Sequence, residues 1–362
     1  MLYDKMKTVL SRCAEVFKNK YSRFGYVEMM ALAKYPSPVR WVNALYNSYE
    51  YAIKRSELRS YPPVINIATS TTCNLRCGFC YTGQRQPHGR EQLYVSLDLV
   101  EKTMREIGKY AILARLYGHG EPLLVKQLPE IVDIVHRHRV YSFISTNMNY
   151  FDEDHVRRTL QAGLDHVIVA IDGATPESYV AYREGGNFQK VLDHTRRLVE
   201  LKRELGRKDL LIEWQFVLFK HNQHELEIAR DLSKQLECDL FSISTPYVTD
   251  PAYLPDDTKY NPGLGYYATV YKCRRPWTNF VLHPDGGIAA CMAHSYHRDD
   301  DVADYNQMSF REAWQRNPRL VGIRRKLRGQ PSDLAEPTAC DKVCFKVIEE
   351  AAAKHLRPSD FE

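Results

Sequence analysis

Six short apolar runs alternate with amphipathic segments between residues 63 and 246, and this alternation narrows the possible folds more than any other feature. The runs are INIATS (65–70), ILARLYG (112–118), VYSFIST (140–146), HVIVAID (166–172), LIEWQFVLF (211–219) and DLFSIST (239–245). The stretch SLDLVEKTMREIGKY reads as a helix, with Ser96 as N-cap, Asp98 in the first turn, and Leu97, Val100, Met104 and Ile107 on one face. Further helices are expected around Leu128, Ile131 and Val135, then over 154–162, 188–205 and 225–236. Strands alternating with helices form a parallel sheet with right-handed crossovers, so the fold class is α/β. In such folds chemistry gathers at the C-terminal ends of the strands. Directly after the first strand, at that end, "TTCNLRCGFCYTG" places Cys73, Cys77 and Cys80 within eight residues.

The chain of 362 residues carries a net charge of +5, unevenly placed. Residues 1–60 hold eleven Lys/Arg against five Asp/Glu, a local +6, and seven of the 24 tyrosines. Apolar positions at Val42, Leu45, Tyr46 and Tyr49 give this segment a helical pattern, interrupted by Pro36 and Pro38 and closed by Pro62-Pro63. A basic segment can recruit an acidic carrier, nucleic acid or a membrane surface, although a solvated helical face is the simpler reading. No nucleic acid is expected as a partner. The opening MLYDKMKTVL lacks the apolar stretch of a signal peptide, and no run approaches the ~18 apolar residues that span a bilayer. A cytoplasmic chain follows as the expectation. Nine cysteines in a reducing compartment then read as metal ligands or reactive thiols.

Three thiolates are one too few for a closed tetrahedral zinc site, and His88 is the only other ligand type close by. Thiolates also select iron–sulfur clusters. The Cys-x3-Cys-x2-Cys spacing, with Phe79 before the last cysteine, resembles the radical S-adenosylmethionine (radical SAM) superfamily. That resemblance implies a 4Fe–4S cluster on Cys73, Cys77 and Cys80, with S-adenosylmethionine on the open iron. It also implies a partial (β/α)6 TIM-like barrel over 63–246. "YGHGEPLL" resembles the family's Gly-x-Gly-Glu-Pro element, in which Gly118 and Gly120 let the backbone approach and Glu121 or a nearby carbonyl accepts from the methionine ammonium. Ser145 and Asn147 in "STN" and Asp172 in "IDG" correspond to ribose- and methionine-contacting positions. Arg183 in "AYREGG" suits the methionine carboxylate, with a surface arginine as the alternative.

Four more cysteines follow the sixth strand. "FVLHPDGGIAACMA" reads as a β-hairpin. Cys273, Gly286 and Cys291 resemble the opening of SPASM and twitch extensions, Trp314 and Arg324 suit their helix, and Cys340 and Cys344 close the set. The resemblance implies a small twitch/SPASM-like iron–sulfur domain over 247–362 with one auxiliary 4Fe–4S cluster, after a helical basic extension over 1–62. Four thiolates also suit a zinc ribbon. Cys238 precedes strand six, at the bottom of the barrel, and reads as a buried apolar residue; Cys13 is unassigned.

Alternation along strand five puts Glu213 and Gln215 on one face, and along strand six Ser242 and Ser244, so these polar sets are expected to face the lumen. Glu213, Gln215, Ser244, His294, Tyr296 and His297 are candidate substrate contacts. Asn222 suits an N-cap. No catalytic acid or base is evident. The resemblance implies a 5′-deoxyadenosyl radical that abstracts a substrate hydrogen atom, with flavodoxin or ferredoxin as electron donor. The expected reaction is oxidation, or alternatively epimerisation, of a sugar or aminocyclitol. Modification of a ribosomal peptide is the second substrate class, and a non-catalytic electron-transfer protein is the third reading.

Overall fold

The computed structural model describes residues 23–246, 248, 250, 252–257, 273–293, 295–330 and 337–346. Cys13 and His294 lie outside them. Six parallel strands follow one another as expected: β1 (Val64–Ile67), β2 (Leu113–Arg115), β3 (Tyr141–Thr146), β4 (His166–Ala170), β5 (Leu211–Val217) and β6 (Leu240–Ser244). Their register runs from Val64 opposite Leu113 to Val217 opposite Ser244. Helices α3 (Leu97–Ile107), α4 (Leu128–Arg137), α5 (Glu153–Gln161), α7 (Phe188–Glu204) and α8 (Leu226–Gln235) cover one face, and α6 (Pro176–Tyr182) follows β4. Ser96 caps α3 as expected, accepting from the Leu99 amide at 3.3 Å. Ile65, Ile67, Ile144, Val167, Val169, Ile212, Trp214 and Phe216 bury against the helices in one cluster. The alternate residues face the lumen.

The hairpin expected near residue 286 also forms, and its first strand joins the main sheet. Strand β7 (Asn279–Leu282) lies parallel to β1, with Val64 opposite Asn279 and Ile67 opposite Leu282. Strands β8 (Gly287–Ala289) and β9 (Ala303–Asp304) then run antiparallel, giving one nine-stranded sheet in the order β6-β5-β4-β3-β2-β1-β7-β8-β9. Gly286 turns the hairpin at φ 85°, a conformation that favours glycine. The stretch expected as one helix beyond residue 309 is two pieces, a π-turn (Arg311–Gln315) and α9 (Pro318–Lys326), because Pro318 starts a new helix behind its Asn317 cap.

Two helices close the end of the barrel where the strands begin. From α1 (Arg23–Lys34) and the residue after it, Val27, Ala31 and Tyr35 join Val64, Leu113, Tyr141, Phe143 and Ile168 in a second apolar cluster. Lys34 pairs with Asp165 and Asp209, both at 2.5 Å, and the Tyr35 hydroxyl donates to Asp165 at 2.9 Å. Helix α2 (Pro38–Ala52) follows, capped by Ser37. Arg40 donates to the carbonyls of Arg139, Gly108 and His138 at 2.6, 3.2 and 2.7 Å, all in turns at the same end. Among the described residues no helix is long and apolar enough to cross a membrane.

Arg40→Ala strips these three carbonyls of a charged donor, and it is expected to cost about 1–3 kcal/mol. The measurement is the urea midpoint of the variant against the parent. An unchanged midpoint would show that water replaces the guanidinium without loss.

Candidate cluster and cofactor site

The three-cysteine loop leaves β1 and is pinned from below by backbone. The amides of Arg76 and Gly78 donate to the carbonyls of Glu184 and Tyr182 at 2.9 and 3.2 Å, and the Cys80 amide closes a turn onto the Cys77 carbonyl at 3.2 Å. A Cβ at Gly83 would lie 2.7 Å from the Cys77 nitrogen, so only glycine lets the chain fold back there. Two side chains reach the sulfurs. Asn147 Nδ2 lies 3.6 Å from Cys73 Sγ and donates to Asn74 Oδ1 at 2.9 Å, while Arg183 Nη1 lies 3.8 Å from Cys77 Sγ. Burial pushes the Cys73 thiol up to about 11 and raises Cys77, although Arg183 opposes the rise at Cys77. Cys77 and Cys80 lie close enough to Cys73 to raise it further, and Cys80 does the same to Cys77, so the three lie together. Buried thiols that resist ionisation fit a site where bound iron supplies the countercharge. Among the described residues no group of three or more His, Cys, Asp and Glu is placed to hold a single metal ion. A 4Fe–4S cluster takes one thiolate on each of three irons and leaves the fourth open, which a set of three cysteines suits.

The expected cofactor-contacting residues are gathered here, and several also bind groups of the protein itself. Both carboxylate oxygens of the buried Glu121 accept backbone amides, Oε1 from Leu123 at 3.1 Å and Oε2 from Asn147 at 2.8 Å. Its own amide donates to the Thr72 carbonyl at 2.8 Å. Glu121 thus ties the end of β3 to the approach to Cys73. Asp172 is likewise committed: Oδ2 takes Arg183 at 2.6 Å and Oδ1 the Val217 amide at 2.7 Å. The Asp172 carboxylate thus holds Arg183 beside the cysteine loop. Gly118 and Gly120 pack against protein: a Cβ would meet Ala68 Cβ at 2.8 Å or the Ser70 carbonyl at 2.5 Å. Ser145 is half-buried on the lumen face of β3. Phe79 is exposed, its ring 4.7 Å from that of Tyr253. Asn222 makes no N-cap bond; its buried amide joins the carbonyls of Asp172 and Val217 at 3.0 and 2.9 Å.

The second cysteine set gathers at a different place. Burial raises Cys340, and Cys291, Cys344 and Cys273 lie close enough to raise it further. Cys291 Sγ accepts from Arg275 Nη1 at 3.1 Å and from the Ala293 amide at 3.3 Å. Trp314 and Arg324 buttress this region: Arg324 lies 4.9 Å over the Trp314 ring and donates to the carbonyls of Trp314 and Pro276. Topology sets the two groups apart. Cys73 follows the C-terminal end of β1, whereas Cys273 precedes β7, which runs parallel to β1. Cys273 therefore lies at the opposite end of the sheet, and antiparallel β8 carries the chain back toward it before Cys291. Cys238 is partly buried against the core before β6, and burial pushes its thiol up to about 12.

Between the two ends runs a polar lumen. Glu213 is buried, with His166 Nε2 at 2.9 Å and the Ser242 hydroxyl donating to its other oxygen. Gln215 and Ser244 are half-buried above it. Arg115 Nη1 donates to Asn66 Oδ1 at 3.2 Å, and its guanidinium lies 6.0 Å from the Phe143 ring. Burial raises Glu28 of α1, while Arg115 and Arg274 oppose the rise, placing this carboxyl at the floor. Asn66, Arg115 and His166 were legible by the same alternation that marks Glu213; Glu28 carried no such signal. Tyr296 sits elsewhere, beside the cysteine loop, its ring 5.4 Å from Tyr81 and 5.0 Å from His119. Half-buried His297 lies 3.3 Å from Asp299. Buried Arg90 joins these regions, binding Asp285 and Asp301 at 2.8 and 2.7 Å and the Tyr296 carbonyl at 3.3 Å. No pattern marked Arg90, because its partners lie about 200 residues away.

Residues 67–212 match the family model described as the radical SAM superfamily, and the chain carries a domain of that superfamily. A probable GTP 3′,8-cyclase of Methanococcus maripaludis (strain C5) is 27% identical over 146 residues, 40% of this chain and 47% of that protein. The GTP 3′,8-cyclase of Hydrogenovibrio crunogenus is 30% identical over 131 residues, 35% of this chain and 39% of that one. The chain thus spans under half the length of these relatives. Among solved structures, SuiB of Streptococcus suis bound to precursor peptide SuiA superposes with a TM-score of 0.58 at 14% identity, over 78% of this chain and 71% of that one. The structure of anSMEcpe with bound AdoMet gives 0.51 at 14% identity, over 80% and 97%. At these identities the two structures share the fold.

Glu121→Ala leaves two buried amides without partners, which is expected to cost about 1–3 kcal/mol for each. Iron-free protein should therefore melt at a lower temperature, and Glu121→Gln, which keeps one acceptor, should recover part of the loss. Unaltered melting of iron-free Glu121→Ala would return this residue to a purely ligand-contacting role.

Proposed function

We propose that this radical SAM enzyme oxidises an alcohol carbon of a small polar substrate, a sugar or aminocyclitol, held in the lumen between two 4Fe–4S clusters. The observation that carries the reading is the placement of the two cysteine sets at opposite ends of a lumen lined by Arg115, His166, Glu213, Gln215 and Ser244. Bound to the first cluster, S-adenosylmethionine would supply a 5′-deoxyadenosyl radical that removes the carbon-bound hydrogen atom. The chain's own contribution is positional. Arg183, held by Asp172, presents a cation beside Cys77 suited to the methionine carboxylate. Asn147 stands beside Cys73 as a donor. Donors and acceptors along the lumen suit hydroxyl and amine groups. The hydroxyl proton would then leave to solvent or a lumen acceptor, and a cluster held by Cys273, Cys291, Cys340 and Cys344 would supply the acceptor for the remaining electron. With Cys73, Cys77, Cys80, Cys273, Cys291, Cys340 and Cys344 engaged on iron, no described cysteine remains near the lumen to return a hydrogen atom, which disfavours epimerisation.

One observation supports a second reading, modification of a ribosomal peptide. Among the described residues strand β6 is an edge of the sheet, and all five of its residues are half-buried. The lumen is thereby open along one side to a substrate longer than a monosaccharide.

Anaerobic reconstitution should load about eight iron and eight sulfide per chain, and the triple change of Cys73, Cys77 and Cys80 to Ala should leave about half. Zinc in place of the second cluster would remove the electron exit and with it the oxidation.

Turnover in deuterium oxide separates the outcomes of the chemistry. Oxidation predicts a product two hydrogens lighter, with no carbon-bound deuterium at the reacting centre. A product of unchanged formula carrying one carbon-bound deuterium would mean hydrogen return and inversion.

A further inference from the structure

Helix α2 is amphipathic in the inverted sense. Its polar residues Arg40, Asn43, Asn47 and Glu50 are buried against the rest of the chain. Asn43 exchanges two hydrogen bonds with the Tyr61 backbone at 3.0 and 2.9 Å, and Asn47 donates to the Trp277 carbonyl at 2.7 Å. Glu50 accepts from the amides of Arg59 and Ser60, both at 3.0 Å. The apolar side faces out, with Val42 67% exposed, Leu45 68% and Tyr49 56%. Val39, Trp41 and Ile53 are exposed as well. Positions 39, 42, 46, 49 and 53 follow the alternating three- and four-residue spacing of a helix-pairing seam, and the rings of Tyr46 and Tyr49 stack at 6.3 Å. None of the exposed residues of this helix is charged.

A single exposed apolar side chain on a surface is ordinary, but a contiguous stripe of this size marks an interaction site. We infer that this face is the two-fold interface of a homodimer, α2 of one copy packing against α2 of a second. Three observations favour a second copy over other occupants. An uncharged stripe meets itself across a two-fold axis without opposing like charges, as an isologous interface requires. Six large side chains about half exposed offer on the order of 600 Å², and with flanking residues this nears the ~800 Å² per partner of a stable interface. Three cations near the helix are engaged within the chain, which weakens the case for an anionic membrane surface. Lys34 is paired with Asp165 and Asp209, Lys54 lies 3.7 Å over the Tyr51 ring, and Arg55 is 3.7 Å from Glu50. The helix is also fixed by its polar underside, so little ordering opposes association.

The test is sedimentation velocity of the 362-residue chain from roughly 1 to 100 µM, for the parent and for the double variant Val42→Glu, Leu45→Glu. The parent is expected to be dimeric at the upper end. The variant, changed only at exposed positions, should be monomeric throughout, its dissociation constant raised at least ~100-fold, with unchanged far-UV circular dichroism. Trp41 emission of the parent should shift to longer wavelength on dilution, and that of the variant should not. A parent monomeric across the range overturns the inference, as does a dimer that survives both glutamates. So does a monomeric parent that sediments with vesicles of phosphatidylcholine and phosphatidylglycerol, which would give the face to a membrane. A parent that dimerises only when residues 1–22 are deleted would give it to that segment and would overturn the inference equally.

Discussion

Strand β1 is hydrogen-bonded on both edges, to β2 on one side and β7 on the other, and the site is organised from its two ends. Its four residues are fully buried. The end of β1 releases the chain into the three-cysteine loop. The beginning of its neighbour β7 fixes where Cys273 must lie. Had β7 paired antiparallel, Cys273 would fall beside Cys73 and the two sets would share one end. Parallel pairing separates them by the length of the sheet and leaves the lumen between. The separation is thus a consequence of strand direction and needs no linker or hinge to maintain it.

The loop itself is held by backbone groups more than by side chains. Glu121 and Asp172 each accept a buried amide at the ends of strands, from Asn147 and Val217 respectively. Buried amides without acceptors are costly, and strand ends in a barrel are where they arise. A carboxylate at such a place first satisfies the backbone. Its remaining capacity can orient a neighbour, as Asp172 orients Arg183. Both carboxylates therefore serve the backbone beside the candidate cofactor site. They set the shape of the pocket, and Asn147 and Arg183 are left to face the sulfurs.

The sequence made the six-stranded core legible because periodicity reports burial against helices. Trp214 and Phe216 alternate with Glu213 and Gln215, and the structure separates them accordingly. The same reasoning failed where burial is polar. Helix α2 shows a clean apolar stripe at Val42, Leu45 and Tyr49, which periodicity alone would turn inward. In the structure the inward face is Arg40, Asn43, Asn47 and Glu50, because the turns beneath it present unpaired carbonyls and amides that only polar side chains can satisfy. Arg90 and the pairing of β7 with β1 were illegible for another reason. Their partners are about 200 residues distant, and no local pattern records a contact of that range.

The basic N-terminal segment now has a physical task in its described part. A parallel barrel is open where its strands begin, and here that opening contains Arg115, His166 and Glu213, groups that water would otherwise reach from below. Val27, Ala31 and Tyr35 cover the apolar rim, Lys34 and Tyr35 lock to Asp165, and Glu28 meets the Arg115 charge at the floor. Excluding water from one end strengthens every electrostatic contact within the lumen. The excess positive charge of residues 1–60 therefore cannot be read wholly as a recruiting surface. Two of its cations, Lys34 and Arg40, serve the floor of the barrel.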